Sequence, residues 1–452
     1  MKHIGWASLV ISSVLLATLA RSEERPRYGA TLHVAMRATP SSLDPQELAR
    51  SFGGRGLVSL IFDSLIATDE NGHLQPALAE SWQSSRGNQH WEVHLRQGVR
   101  FQDGTLLTSE IAAASLRVSN PSWKVSTDGN AIQIEVETAD PHLPAELALP
   151  RNAIAKRDPQ IAGTGPFTVA QRQAGKTITL TANEECWRGR PYLDSMEIET
   201  GKSFRDQMNA FDSRRADLVE VAPEQSHRTL KEAQILTGAY PMELLALVFR
   251  KDAASPEEKF LRRALGLSVE RGSMRSVLLQ GSGKPAGGLL PMSISGYGFV
   301  FSTDTDLQKA RQLRGEMSSV PTWTLGYDAN DTLLRVLAER IALNAKDAGL
   351  SLRPVVTGDS DLRLERIPIA SGDAWLALSE VLNHAGVQAP KNMAGSVEDL
   401  YALEQQTLAS ERVIPLFHLP VGYASAPGLR GWQVRIDGSW DLSRAWLETS
   451  RP

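Results

Sequence analysis

The sequence predicts an α/β fold of more than one lobe, with an additional β-rich subdomain. Three observations carry this prediction. The chain has 452 residues, far more than one typical domain, and its 42% of hydrophobic residues are enough to bury one or two sizeable cores. A helical pattern at 331–348 is followed by a strand pattern at 350–356, so helices and strands alternate there. A hairpin signal, Asp128-Gly129, separates two strand-like runs and implies a compact β subdomain.

The N-terminus has the pattern of a secretory signal. Lys2 and His3 precede an apolar stretch at 4–20, and small residues follow at Ala20 and Ser22. We expect residues 1–22 to be a signal peptide that is cleaved after Ala20 or Ser22. The apolar run of about 17 residues is at the lower edge of a membrane-spanning helix, so a retained anchor is the alternative. The remaining chain is expected to be periplasmic or otherwise extracytoplasmic.

The following elements are predicted in chain order from apolar periodicity and capping residues. A strand at 30–37 leads into a turn-rich loop at 39–45, a place where ligands often bind. Thr108 is expected to cap a helix from 109 to 116. Further strands are expected at 91–95, 123–126, 131–136, 167–170, 177–182 and 195–199, and further helices at 57–65, 257–267, 273–279, 306–316 and 331–348. Helices therefore dominate the second half of the predicted fold.

Composition excludes several classes of function. The formal net charge is only −4, so the chain has no large basic field and nucleic acid is not expected as a partner. Cys186 is the sole cysteine, which excludes an intramolecular disulfide and a multi-cysteine metal site. His90 and His94 lie in a strand pattern that places them roughly 13 Å apart, too far to bind one ion. We expect no metal site and no cofactor.

Sequence motifs of enzymes are missing or incomplete. The chain has no Gly-x-Ser-x-Gly elbow, no His-Glu-x-x-His helix and no strand-linked Gly-x-Gly-x-x-Gly. Residues 281–284 resemble the end of a phosphate loop, but Pro285 stands where Ser or Thr must hold magnesium. The sequence is therefore not expected to encode an enzyme.

Eight short motifs together resemble the family 5 extracellular solute-binding proteins of oligopeptide, dipeptide and nickel ABC importers. They occur in the family's order over nearly the whole chain: LDP at 43–45, IFDSLI at 61–66, QPALAESW at 75–82, LRQGVRFQDGT at 95–105, GTGPF at 163–167, WRGRPYLD at 187–194, LRRAL at 261–265 and VIPLF at 413–417. The chain is identified as a member of this family from the order of the motifs, since each motif alone is weak.

The resemblance implies a class II Venus flytrap fold, in which two α/β lobes joined by two chain crossings enclose a ligand. By analogy, lobe I takes residues 28–240 plus 412–452 and carries the β-rich subdomain, and lobe II takes residues 241–411. The implied function is capture of a peptide or similar small solute for delivery to an ABC permease in the cytoplasmic membrane. A monomer is usual for such clamps. The alternative is a degenerate member that acts as a protein-interaction or sensory partner without transport.

The chain departs from the family between 356 and 400, where it is shorter than the peptide-binding members. Those members carry there an aspartate that anchors the peptide's amino group, and Asp373 with Trp375 is the nearest local match. Arg250 replaces the family's usual asparagine and would favour an anionic ligand, unless it is simply solvated. The predicted ligand-binding residues are Thr39, Ser41, Ser42, Arg250, Asp373, Trp375 and His418.

Overall fold

The computed structural model describes residues 25–69, 71–226, 234–238, 242–297, 301–317, 319–356, 358–369, 371–389 and 395–448. The predicted signal peptide at 1–22 lies outside these residues. Among the residues described, no helix has both the length and the apolar character needed to span a membrane.

The first part of the chain, up to residue 238, forms most of one lobe and its subdomain. Its strands are β1 Thr31–Ala35, β2 Ile66–Thr68, β3 Leu74–Pro76, β4 Ala79–Ser85, β5 His90–Leu95, β6 Lys124–Asp128, β7 Ala131–Glu135, β8 Phe167–Gln173, β9 Thr177–Ala182, β10 Ser195–Glu199, β11 Leu218–Val221 and β12 Gln234–Thr237. Its helices are α1 Pro45–Leu48, α2 Phe52–Ile61, α3 Ser109–Ser119, α4 Leu143–Leu147 and α5 Phe204–Asp212, with 3-10 turns at Pro150–Asn152 and Pro223–Gln225.

The second part of the chain forms another lobe. Its strands are β13 Glu243–Phe249, β14 Lys284–Pro285, β15 Thr322–Tyr327, β16 Ser351–Val356, β17 Leu362–Pro368 and β18 Val413–Leu419. Its helices are α6 Pro256–Ser268, α7 Arg271–Val277, α8 Met292–Ser295, α9 Leu307–Gly315, α10 Thr332–Asp347, α11 Ala374–His384 and α12 Val397–Ala409. The chain then returns to the first lobe through β19 Gly422–Ser425, β20 Leu429–Arg430, β21 Gln433–Val434, β22 Trp440–Asp441 and β23 Trp446–Leu447.

Each lobe is built on one mixed sheet. The sheet of lobe I has the order β12-β19-β11-β1-β10-β9-β8, with β1 parallel to β10 and β11. The sheet of lobe II has the order β14-β18-β13-β17-β15-β16, with β15 parallel to β16 and β17. The β-rich subdomain consists of the antiparallel sheet β4-β5-β7-β6, α3, which packs on this sheet, and α4, whose Leu143 and Leu147 share the same core. The predicted two-lobed α/β fold with an extra β subdomain is confirmed.

The second crossing between the lobes lies later in the chain than the expected residue 412. Strand β18 pairs with β13, and β19 pairs with β11, so the chain leaves lobe II between Leu419 and Gly422. The run at 413–417 is apolar throughout, which identifies a buried strand but does not say which sheet receives it. We therefore use lobe I for residues 25–238 and 420–448, and lobe II for residues 242–419.

Helix α2 begins five residues before the helical pattern that was expected at 57–65. Ser51 caps the helix by accepting the Gly54 N–H, and the first turns contain three glycines. A methyl group on Gly56 would overlap the ring of Trp440, and one on Gly54 would overlap the Leu48 carbonyl. The glycines that weaken the helical pattern in the sequence are therefore required by close packing in the fold.

Candidate functional site

The two lobes share two cavities of about 390 Å³ each. The first, which we call the Asp373 cavity, is lined by α2, the β2–β3 hairpin and α4 of lobe I, by residues 435–439, and by residues 371–373 of lobe II. The second, the Arg366 cavity, is lined by Arg37, residues 50–52 and Glu220 of lobe I and by residues from β13, β15, α10, β17 and α11 of lobe II. Both cavities therefore have walls from both lobes.

One turn of α2 separates the two cavities. Phe52 lines the Arg366 cavity and packs into the lobe II core with Leu244 and Ile367. Arg55 lines the Asp373 cavity, and its guanidinium lies 5.4 Å from the centroid of the Phe52 ring. The Arg55 side chain is buried and donates to the carbonyl groups of Ala49 and Asp437. Burial lowers the pKa of Arg55 from its ordinary value.

Two arginines at the edge of the Asp373 cavity remain partly exposed. Arg188 pairs with Asp63 at 2.6 Å, lies over the Trp187 ring and keeps 43% of its side chain exposed. Asp63 is buried and also accepts hydrogen bonds from Thr164 and Trp187. Arg435 lies 3.5 Å from Asp441 and is also partly exposed. Both guanidinium groups therefore line the cavity while each keeps a carboxylate partner.

Asp373 connects the Asp373 cavity to the start of α11. Its Oδ1 accepts the backbone N–H groups of Trp375 and Leu376, and this caps the helix. Its Oδ2 lies 2.7 Å from Nδ1 of His142, which precedes α4 in the β-rich subdomain. The two side chains are 23% and 22% exposed. The carboxylate is therefore held by both lobes at the cavity wall.

The pKa shifts of this pair follow from its geometry. The hydrogen bond to Asp373 raises the pKa of His142 above its ordinary value of 6.5, although burial opposes the shift. Burial alone would raise the pKa of Asp373, but the bond and charge of His142, with the capping N–H groups, lower it overall. Each shift favours the ionised form of its group, so the contact stabilises the two side chains as an ion pair.

A second ionic contact links the same two elements. Arg151 bonds both carboxylate oxygens of Glu146, each at 2.7 Å, and also contacts Glu380 on α11. Arg151 and Glu146 belong to the segment that contains α4 and the following 3-10 turn. The two contacts, at Asp373 and at Glu380, therefore tie α11 of lobe II to the β-rich subdomain of lobe I.

A buried network of charges fills the wall of the Arg366 cavity. Arg366 lies 2.8 Å from Glu243 and 2.9 Å from Asp331, and Arg37 of lobe I reaches within 3.7 Å of Asp331. Glu220 accepts the backbone N–H of Arg37. Burial would lower the pKa of Arg366, but the surrounding carboxylates raise it above its ordinary range, so the guanidinium stays charged.

Of the seven predicted ligand-binding residues, Asp373 lines the Asp373 cavity, and the other six line neither this cavity nor the Arg366 cavity. In the loop after β1, Ser41 donates to Glu47 and Ser42 accepts the Asp44 N–H. Thr39 is exposed and packs close to Gly201. These three residues thus make local contacts in their loop, and a role in ligand binding stays a prediction.

The remaining three predicted residues, Arg250, Trp375 and His418, lie in lobe II. Arg250 follows the end of β13 opposite to Glu243, where it pairs with the fully exposed Asp359. Trp375 is packed in the lobe II core, with its ring 6.5 Å from that of His142. His418 is buried, its Nε2 lies 3.2 Å from the Leu289 carbonyl, and burial lowers its pKa to about 4. Ligand contacts by these residues are likewise untested predictions.

The sequence motifs contained several cavity residues that were not singled out. Asp63 belongs to the motif at 61–66, and Arg188 belongs to the motif at 187–194. Their place in family motifs was the signal that could have identified them. No local pattern indicates His142, because its partner Asp373 lies 231 residues away in the sequence.

Comparisons with known proteins agree with this architecture. The model of the bacterial extracellular solute-binding proteins, family 5 Middle, matches residues 73–379. The nickel-binding protein NikA of Staphylococcus aureus is 24% identical over 241 residues, which are 50% of this chain and 49% of that protein. The chain thus aligns with about half the length of this relative. The probable D,D-dipeptide-binding periplasmic protein DdpA of Escherichia coli is 23% identical over 298 residues, covering 59% of this chain and 57% of that protein.

Solved structures share the fold over nearly the whole chain. The structure of Staphylococcus aureus NikA with Ni(L-His)2 has a TM-score of 0.80 at 17% identity and covers 91% of this chain and 98% of that one. The structure of the oligopeptide-binding protein AppA of Bacillus subtilis, in complex with a nonapeptide, has a TM-score of 0.80 at 17% identity. It covers 94% of this chain and 100% of that one. At these identities the likeness shows the fold alone.

Proposed function

The chain belongs to family 5 of the bacterial extracellular solute-binding proteins, and from this premise we propose that it is the exported substrate-binding component of an ABC importer. It captures a peptide or similar small solute between its lobes and delivers it to a permease in the cytoplasmic membrane. The observation that carries the proposal is the Asp373 cavity, which has walls from both lobes and charged groups of both signs.

The size and the charges of the Asp373 cavity favour a compact, doubly charged solute. A volume of about 390 Å³ lies at the lower end of the range of about 300–1,000 Å³ that small-molecule sites occupy. Asp373 supplies a carboxylate for an ammonium group, and the partly exposed Arg188 and Arg435 supply guanidinium groups for a carboxylate. A short peptide or an amino-acid derivative carries both groups. Relatives include a nickel-binding protein, a probable D,D-dipeptide-binding protein and a heme-binding protein, so membership of the family does not by itself select the ligand.

The proposed action is binding without chemical change. Rotation of two lobes about their crossing strands is a known way to enclose and release a ligand. Few residues separate β12 from β13 and β18 from β19 along the chain, which suits such a hinge. We further propose that the mature chain acts as a monomer outside the cytoplasmic membrane, after removal of residues 1–22.

The test is a thermal-shift screen of the chain without residues 1–22, followed by calorimetric titration of every solute that raises the melting temperature. The panel contains dipeptides, tripeptides, single amino acids, sugars and Ni(II) with histidine. Binding to the native state alone raises the melting temperature with ligand concentration. A saturable shift with one solute class supports the proposal and names the class, whereas no shift at millimolar concentrations across the panel contradicts it.

A further inference from the structure

The contact between His142 and Asp373 is the only part of the inter-lobe contact described above that can lose its charge near neutral pH. His142 comes from the β-rich subdomain, and Asp373 comes from lobe II. The second contact between these elements, Arg151 with Glu380, contains an arginine, which keeps its charge across the accessible pH range. The two contacts therefore differ in their response to protons although they join the same pair of elements.

The geometry leaves Asp373 one oxygen for a cation. Oδ1 is used by the N–H groups of Trp375 and Leu376, so Oδ2 is the atom that His142 occupies. The imidazole is itself positioned, because the His142 backbone N–H donates to Asp140 at 2.9 Å and its ring lies beside Trp375. Because the His142 ring and Oδ2 of Asp373 are both already held in place, their charge-assisted hydrogen bond forms with little loss of side-chain entropy.

We propose that His142 and Asp373 form a proton-dependent clasp on the Asp373 cavity: protonated His142 holds α11 against the β-rich subdomain by a charge-assisted bond, and neutral His142, left with at most an uncharged Nδ1–H donor, loosens its hold on Oδ2 of Asp373. His142 is thus a positioning residue that acts through Asp373. The clasp itself does not require a ligand. Its consequence for capture rests on the proposed function, since Oδ2 of Asp373 is the atom that would face the ammonium group of a solute.

The charged groups around the clasp set its pH window. Asp140 acts on His142, and Glu146 acts on Asp140, both from the segment around α4, while Arg151 is held between Glu146 and Glu380 of α11. Burial raises the pKa of Asp140, and the pKa of His142 is raised while that of Asp373 is lowered. The clasp is therefore complete at mildly acidic pH, is lost as pH rises through a value above 6.5, and is lost again below 3.8 when Asp373 takes up a proton.

The experiment measures the distance between the subdomain and lobe II without any solute. Spin labels are placed at the exposed positions Lys124 on β6 and Gln406 on α12, with buried Cys186 replaced by serine, and distance distributions are recorded by pulsed EPR from pH 5.5 to 8.5. We expect a narrow distribution at pH 5.5 that shifts and broadens with a midpoint above pH 6.5. In H142Q the distance distribution is expected to be the same at pH 5.5 and at pH 8.5.

The matched control is H94Q. His94 also pairs with a carboxylate, Glu92, at 2.8 Å, but both residues lie on β5 within the subdomain. The control should keep the pH response of the parent. A parent distribution that does not change with pH, or a pH response that persists in H142Q, overturns the clasp.

A second measurement covers the case in which H142Q does not fold. The ring proton signals of His142 are titrated by NMR in the parent and in D373N, where the amide oxygen of the new side chain can still cap α11. We expect the His142 titration midpoint to lie above 6.5 in the parent and to fall in D373N; equal midpoints would show that the pair does not form. A solute screen without hits removes the proposed function and leaves these results unchanged, so the two proposals fail separately.

Discussion

Arg366 and Glu243 form an ion pair at 2.8 Å in which the side chains are only 7% and 4% exposed. They lie on neighbouring strands, β17 and β13, and Asp331 at the start of α10 lies 2.9 Å from the same guanidinium. Arg37 adds a contact from lobe I. Ion pairs thus connect β13, the strand that leads into lobe II, to the other charged residues in the wall of the Arg366 cavity.

We predict that R366M is strongly destabilised. Removal of the guanidinium leaves Glu243 and Asp331 buried without their main counter-charge, and loss of one partner of a buried pair costs about 3–5 kcal/mol. Urea denaturation followed by circular dichroism measures the difference. The control is R250M, whose partner Asp359 is fully exposed and which should unfold at the parent's urea midpoint. Equal midpoints for R366M and the parent would contradict the structural role of the pair.

Gly163 is predicted to tolerate no side chain. A methyl group there would overlap the carbonyl oxygen of Ile61, and that oxygen already accepts the N–H of Gly165. Because backbone has to move, G163A should lose at least about 2 kcal/mol of stability or fail to fold. Gly272 is the matched control: it lies in α7 with no atom near its missing methyl group, so G272A should gain about 0.5–1 kcal/mol. Similar melting temperatures for the two variants would contradict this account.

Glu404 is predicted to make the protein less stable as pH rises. The carboxyl is buried in lobe II, where it accepts the N–H groups of Leu289 and Leu290 and where Oε2 has no hydrogen-bond partner among the described residues. Burial raises its pKa from 4.5 to about 7. The folded form thus binds a proton that the unfolded form has lost between these values, and stability falls with pH across this window by about 3 kcal/mol.

The neutral variant E404Q tests this pH dependence. Its amide keeps an acceptor for the two N–H groups and cannot ionise. We expect the unfolding free energies of parent and variant to be similar near pH 4.5, with the variant becoming more stable by about 3 kcal/mol at pH 8. The measurement is a series of urea unfolding curves from pH 4.5 to 8. A constant difference between parent and variant over this range would rule out a buried, protonated Glu404.

Asp373 is predicted to anchor an ammonium group of the captured solute. D373N keeps the cap of α11 but loses the charge, and loss of one partner from a buried charge pair weakens binding by about tenfold or more. Calorimetric titration of parent and variant with the solute found in the screen measures the ratio. D359N changes the fully exposed carboxylate that pairs with Arg250 and lines neither cavity, so this variant should bind as the parent does. Unchanged affinity in D373N for an amine-bearing solute would remove the anchoring role.

Helices and hairpins with capping or turn residues in their own sequence were predicted correctly from these residues. The helix expected at 331–348 is α10, Thr332–Asp347, and Asp331 caps it by accepting the N–H groups of Leu333 and Leu334. The hairpin expected around Asp128-Gly129 is formed by β6 and β7. Capping groups and turn residues act within a few residues of themselves, so a single sequence is enough to place such elements.

Strands that are buried on all sides give no local signal of which sheet they join or where they begin. Strand β13, Glu243–Phe249, is buried at every position, so its sequence ELLALVF lacks the alternation that marks a half-exposed strand. The same reason explains the boundary of lobe II, because β18 is also buried throughout and its sheet is decided by its partner β13.

The sequence by itself determined the family, the α/β class with a β-rich subdomain, and one residue of the cavity wall, Asp373. Only the tertiary structure decided which charges meet: His142 with Asp373, Arg188 with Asp63, and Arg366 with Glu243 and Asp331. The physical reason is that the energy of an ion pair depends on separation and burial, and neither quantity is expressed in the residues that flank each partner along the chain.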